Sequence, residues 1–167
     1  VGKKLSGLDP IHKVTIIPRG MALGITQTLP EKDAVSLTKT KAQNMIAFLF
    51  GGRAAEEVVF SEVTTGAGND IERATDIARR MVCEWGMSPK MGPLAYETSS
   101  APPFLGMHSS ENAKNYSDAR AEEIDREVFS IIDNGYKTAV KILVDYRDAL
   151  ERLAQALLEY ETIDGTE

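Results

Sequence analysis

The residues of this chain whose types and spacing could do chemistry are concentrated between residues 64 and 75. Small and polar residues there lead into Asn69, Asp70 and the start of a helical pattern. A carboxylate at such a point can cap the helix by accepting hydrogen bonds from its free amides, or it can be a ligand of a metal ion. From the residues alone, capping by Asn69 or Asp70 is the more common outcome.

A complete metal site needs more ligands than this stretch offers. Zinc in a catalytic site takes three protein ligands, and the two histidines of the chain, His12 and His108, lie on separate segments. We expect each histidine to be an ordinary strand or loop residue. The chain alone therefore supplies no obvious ligand pair to accompany Asp70.

Two adjacent carboxylates, Glu56 and Glu57, follow a pair of glycines and Arg53. Neighbouring side chains on a helix point about 100° apart, so these two cannot form one paired-carboxylate site. A solvated or salt-bridged helix face, with one of them paired to Arg53, is the expected arrangement. The single cysteine, Cys83, cannot form an internal disulfide, and we expect a buried structural residue in a reducing compartment.

Composition limits the class of protein. The chain has 167 residues, 43% hydrophobic and 26% charged, which suits one globular domain spanning residues 1–167. A net charge of −6 argues against general nucleic-acid binding. There is no apolar run of about 20 residues and no signal-peptide pattern. The chain lacks an initiator methionine, and we interpret it as a piece of a longer protein.

The elements that must position these residues are mostly helices. Apolar spacing predicts helices over residues 36–60, 69–85, 117–145 and 148–160. Two glycines at 51 and 52 indicate either a break in the first of these or close packing against it. Residues 1–10 are expected to end an upstream segment, residues 11–29 to form a β-hairpin and residues 94–97 a short strand. The predicted fold is mainly α, with a small sheet near the N-terminus.

The chain also resembles one known family. Five phrases occur in the same order in the peptidase domain of FtsH, a family of membrane-anchored, ATP-dependent AAA+ zinc proteases. They are residues 9–20 (DPIHKVTIIPRG), 22–24 (ALG), 51–57 (GGRAAEE), 64–70 (TTGAGND) and 161–164 (ETID). The resemblance covers essentially the whole chain from Asp9 onward.

This resemblance implies a zinc ion held by two histidines of an HExxH helix and by an aspartate that matches Asp70. It gives Glu57 a weaker supporting role near the metal. In the family the HExxH helix lies just upstream of the segment that matches residues 1–9. We therefore expect no catalytic residue within this chain, and an inactive fragment when it is isolated. ATP would bind the AAA+ module, which is also absent.

The resemblance further implies the partners and location of the parent protein. It implies a hexamer that degrades unfolded and membrane proteins, with this domain on the cytoplasmic, matrix or stromal side of a membrane and the fragment itself soluble. A substrate chain could add to one strand, where Gly24 would leave room for its backbone. That strand contains Met21, Ala22, Leu23, Gly24, Ile25 and Thr26. The alternative is a non-catalytic assembly or chaperone subunit of the same family, with the helices of residues 117–158 as oligomer contacts.

Overall fold

A computed structural model describes residues 1–18, 24–29, 36–96 and 116–166. Within these ranges a bundle of helices lies between the strands of one small sheet, two of which precede the helices along the chain and one of which follows them. This arrangement confirms the predicted fold class. The elements are β1 (Ile11–Thr15), β2 (Ile25–Thr28), α1 (Lys39–Leu49), α2 (Gly51–Phe60), α3 (Gly68–Cys83), α4 (Asp118–Asp145), α5 (Arg147–Tyr160) and β3 (Thr162–Asp164). Every helix of these ranges is either too short or too polar to span a bilayer.

The core lies where α1, α2, α3 and α4 meet. Small residues dominate the contact faces, and Ala42, Ala74 and Ala139 are fully buried beside Ile46. A methyl group added at Gly135 of α4 would lie 2.6 Å from Ile46 Cγ2. The backbone of the long helix α4 therefore packs closely against α1 at Gly135. Helices α1, α2 and α3 all contact α4.

The predicted helix over residues 36–60 is two helices, α1 and α2. The first begins at Lys39, because the Thr38 hydroxyl accepts a hydrogen bond from the Lys41 amide at 3.2 Å. Phe50 separates the two, and its buried side chain contributes to the core. The glycines that follow lie in the first turn of α2. The Cβ that Gly51 lacks would be 3.5 Å from the Val1 side chain, an ordinary van der Waals contact, and one at Gly52 would meet nothing within 4 Å, so neither glycine is required by close packing.

The prediction of a strand over residues 94–97 is wrong for Leu94 to Tyr96, and Glu97 lies outside the described residues. This segment folds back over the end of α3. The Tyr96 amide donates to the Cys83 carbonyl at 2.8 Å, and the Tyr96 hydroxyl donates to the Met91 carbonyl at 2.8 Å. Its hydrogen bonds are therefore satisfied by a helix end and a turn. Cys83 itself is fully buried, as expected.

The sheet has the order β2-β1-β3, with both pairs antiparallel. The pairing of Thr15 with Ile25 forms part of the expected hairpin. The third strand, β3, was not predicted from periodicity, because it has only three residues. It is fixed by the Thr15 hydroxyl, which donates to the Glu161 carbonyl at 3.1 Å. Gly165 follows, where a Cβ would collide with the Ile11 carbonyl oxygen at 1.6 Å.

Candidate metal-binding site

Asp70 is presented by a short loop and a single helical turn. Ser61, with a φ of 55°, ends α2 in the left-handed conformation. Thr64 then caps a 3-10 turn by accepting a hydrogen bond from the Gly66 amide at 3.2 Å. That turn continues directly into α3 at Gly68. Asp70 consequently lies in the first turn of α3 and is half-buried.

The expectation that Asn69 or Asp70 caps the helix is wrong. Ala67 occupies the cap position of α3, and no side chain makes a capping hydrogen bond there. The reason is that the capped 3-10 turn delivers the chain to α3 already in helical geometry. Within the described residues, the Asp70 carboxylate makes no hydrogen bond and no ion pair. It lies at the positive end of the helix dipole, which favours its negative charge. Its oxygens are accordingly available to a cation.

Glu56 of α2 holds the loop that leads to Asp70. Its Oε1 accepts a hydrogen bond from the Thr64 hydroxyl at 2.5 Å, and its Oε2 accepts one from the Thr64 amide at 3.1 Å. The Thr64 hydroxyl, followed by the amide, lowers the pKa of Glu56 below its ordinary value of 4.5. Sequence reasoning assigned Glu56 only to a charged helix face. A contact between a helix and a loop eight residues later leaves no periodic signal that could have revealed it.

Glu57 binds a different element. The Tyr136 hydroxyl of α4 donates a hydrogen bond to its Oε2. The Tyr136 ring packs edge-on against Phe50, with the ring centres 5.5 Å apart. Burial, and then the Glu57 carboxylate, raise the pKa of Tyr136. The two adjacent glutamates thus anchor α2 in two directions, in agreement with their angular separation on a helix.

Asp70 suits a zinc ion chemically, but the described residues do not form a complete zinc site. In residues 1–18, 24–29, 36–96 and 116–166, no three His, Cys, Asp or Glu side chains lie close enough together to hold a metal ion. His12 is an exposed residue of β1, and His108 lies outside the described residues. Asp70 is a suitable oxygen ligand, but a catalytic zinc takes three protein ligands. The described part of the chain therefore does not contain a complete three-ligand zinc site.

The strand proposed for substrate binding is described only in part, because Met21, Ala22 and Leu23 lie outside the described residues. Ile25 and Thr26 are exposed on β2, whose described partner is β1 on one side. A Cβ at Gly24 would lie 2.8 Å from the Thr15 carbonyl oxygen. This glycine makes room for β1, so the reason expected for it, space for a substrate backbone, is not the one that the geometry provides.

Comparisons with known proteins agree with one another. The model of Peptidase family M41 matches residues 1–167. The chain is 74% identical over 167 residues to "ATP-dependent zinc metalloprotease FtsH 1" of Bdellovibrio bacteriovorus, covering all of this chain and 26% of that protein. It is 52% identical over 167 residues to "ATP-dependent zinc metalloprotease FtsH" of Magnetococcus marinus, again over all of this chain and 25% of the relative. The chain spans about a quarter of the length of these relatives.

Proposed function

Because the chain belongs to peptidase family M41, we propose that it is the proteolytic domain of an ATP-dependent zinc metalloprotease. One observation carries the assignment of a site. The Asp70 carboxylate lies in the first turn of α3, with no bond to another described residue, at the end of a loop that α2 holds in place. Asp70 matches the aspartate ligand that the FtsH resemblance implies.

In this proposal, Asp70 is one protein ligand of the zinc ion, and the remaining ligands are the two histidines of an HExxH helix of the parent protein. When bound, zinc supplies Lewis-acid polarisation of the scissile carbonyl and an activated water. The residues of this chain supply one ligand of the zinc ion and hold that ligand in its orientation. Glu57 has an indirect supporting role, since its bond to Tyr136 holds α2 against α4 and α2 carries Glu56.

The substrate is a polypeptide in an extended conformation. Among the described residues β2 is an edge strand of the sheet, and the backbone groups of an edge strand can form main-chain hydrogen bonds with a substrate of any sequence. Such bonds suit a protease that degrades many proteins, including unfolded and membrane proteins.

The rest of the machinery belongs to the parent protein. We propose that it contains an AAA+ module that binds ATP, a membrane anchor and a hexameric arrangement of subunits, with this domain on the cytoplasmic, matrix or stromal side. The relatives' length, about four times that of this chain, leaves room for these parts. The isolated chain is proposed to be inactive, since its described residues contain no group of three side chains that could hold the zinc ion.

Substitution of Asp70 tests this function. In the longer protease that contains this chain, Asp70→Asn should weaken zinc binding more than about 100-fold, beyond the effect typical of residues that only support a ligand. Casein hydrolysis should be lost with the zinc. The matched control is Asp76→Asn, which alters an exposed carboxylate of the same helix that is paired with Arg80 at 3.2 Å. Wild-type zinc affinity in Asp70→Asn would overturn the assignment of Asp70 as a ligand, and a wild-type protease that binds no zinc would favour the non-catalytic subunit.

A further inference from the structure

We propose that Glu56 is a positioning residue for the metal site, acting through Thr64 on the loop that carries Asp70. The inference rests on the proposed function, because it assumes that Asp70 binds zinc. It concerns a residue that does not itself contact the metal. We infer that the two hydrogen bonds between Glu56 and Thr64 fix the position of the Asp70 carboxylate already in the zinc-free protein.

The first step is the geometry of the pair. Both carboxylate oxygens of Glu56 are occupied by the same residue, one by the Thr64 hydroxyl at 2.5 Å and the other by the Thr64 amide at 3.1 Å. Two parallel hydrogen bonds to an ionised acceptor are stronger and more directional than a single neutral one. The loop is thereby held to α2 at one residue, in position and in orientation.

The second step is that this restraint is transmitted to Asp70. The Thr64 hydroxyl donates to Glu56 and also accepts from the Gly66 amide at 3.2 Å. The 3-10 turn that starts there contains the buried Ala67 and continues without interruption into α3. Every residue from 65 to 70 is in a 3-10 or α-helical conformation, so displacement of Thr64 displaces the first turn of α3.

The third step is that α2, the helix that carries Glu56, is itself held in place by its neighbours. Ala54 of α2 is fully buried, and the Arg147 guanidinium donates to the Val58 carbonyl at 2.8 Å. The Tyr136 hydroxyl holds the neighbouring Glu57 from α4. A ligand is placed accurately when its supporting hydrogen bonds come from rigid helices. Helix α2 meets that condition on the side facing α4 and on the side facing α5.

The exposed location of the bonds between Glu56 and Thr64 allows a positioning role to be distinguished from a role in folding. The bonds between Glu56 and Thr64 are exposed to solvent, so their loss leaves the helical core untouched. A residue needed only for folding would lower the thermal midpoint and zinc affinity together. A positioning residue lowers zinc affinity and loosens the loop, while the thermal midpoint of the zinc-free protein falls only slightly.

The test uses the longer zinc protease that contains this chain. Glu56→Gln places an amide NH2 where an acceptor is needed, and Thr64→Val removes the hydroxyl. Both should weaken zinc binding by about 10- to 100-fold in chelator competition. Hydrogen exchange of the peptide covering residues 61–70 should be faster, measured with zinc removed. Thr64→Ser keeps the hydroxyl and should retain wild-type affinity and exchange.

Two control variants come from the same loop. Glu62→Gln changes an exposed carboxylate, and Thr65→Val changes an exposed threonine, neither with a side-chain hydrogen bond in the described residues. Both should behave as wild type. Each is matched in chemistry to one of the test variants, and each lies within two residues of Thr64.

The outcomes separate this inference from the proposed function. Wild-type affinity in Glu56→Gln and Thr64→Val, together with loss in Asp70→Asn, would overturn the positioning role and leave the zinc assignment standing. Weaker zinc binding in Glu56→Gln but not in Thr64→Val would also overturn the positioning role, because Glu56 would then act independently of Thr64. Unchanged affinity in Asp70→Asn would overturn both proposals.

Discussion

Glu56 and Glu57 show how two identical neighbouring side chains acquire different roles. Glu56 accepts two hydrogen bonds from a loop residue, Thr64, whereas Glu57 accepts one from a helix residue, Tyr136. The roughly 100° turn between adjacent helical residues sends them to different neighbours. The site therefore depends on which face of α2 is turned toward the loop before Asp70.

The pH response of Glu56 provides a prediction at the scale of the residue. Hydrogen bonds from Thr64 lower its folded pKa below 4.5, so its contribution to stability is complete above the unfolded pKa and is lost as the pH falls through the folded pKa. In an NMR titration of this chain, the Thr64 amide resonance should therefore shift with a midpoint below 4.5.

Two variants check the cause of that shift. Thr64→Val removes the largest contribution and should move the Glu56 midpoint toward 4.5. Glu62→Gln should leave it unchanged. A Thr64 amide midpoint at or above 4.5 in the wild-type chain would show that these hydrogen bonds do not form in solution.

At the scale of the elements, the close contact between α1 and α4 organises the bundle. Gly135 lets the α4 backbone approach the fully buried Ile46, and alanines line the neighbouring faces. Small residues permit short distances between helix axes, which brings Phe50 and Tyr136 together at the start of α2. The position of α2, and with it Glu56, thus depends on the fit of α4 against α1.

Gly135→Ala should destabilise the chain. Alanine raises helix propensity by about 1 kcal/mol, but its methyl group would lie 2.6 Å from Ile46 Cγ2, and overpacking costs about 1–3 kcal/mol. The overpacking exceeds the propensity gain because the surrounding core is fully buried. We expect a net loss of about 1 kcal/mol in urea unfolding.

Gly52→Ala is the matched control for that measurement. It lies in α2, where an added Cβ meets nothing within 4 Å. The same substitution should there raise the free energy of unfolding by about 0.4–1 kcal/mol. Equal effects of the two substitutions would mean that α1 and α4 are not in close contact.

At the scale of the whole molecule, the two ends of the chain meet in one sheet. Strand β3 follows α5 and pairs with β1, so the sheet joins residues from before and after the helical bundle. Asp70 lies on a separate part of the fold, among helices. Within the described residues its carboxylate is not part of any group of three or more His, Cys, Asp or Glu side chains that could hold a metal ion.

The zinc content of the isolated chain follows from this arrangement. After equilibration with zinc and dialysis, we expect well below one ion per chain by elemental analysis, because one carboxylate binds zinc weakly compared with three ligands. No casein cleavage should be detectable. One zinc ion per chain retained through dialysis would contradict the prediction and would require ligands in residues other than those described.

The sequence by itself determined the properties that depend on neighbouring residues and on ordered motifs. Apolar spacing predicted a mainly helical fold, because helix faces repeat every 3.6 residues. Five phrases in order identified the family, which the match to peptidase family M41 confirms. The choice of Asp70 also came from a motif, and it stays a prediction.

Only the tertiary structure decided which distant groups meet. The bonds from Thr64 to Glu56, from Tyr136 to Glu57 and from Thr15 to Glu161 join residues separated by 8, 79 and 146 positions. No local pattern encodes such pairs, because each depends on how completed helices and strands pack. Gly24 shows the same limit: the sequence pattern predicted it inside a strand, but β2 begins at Ile25, and the carbonyl that requires a glycine belongs to β1.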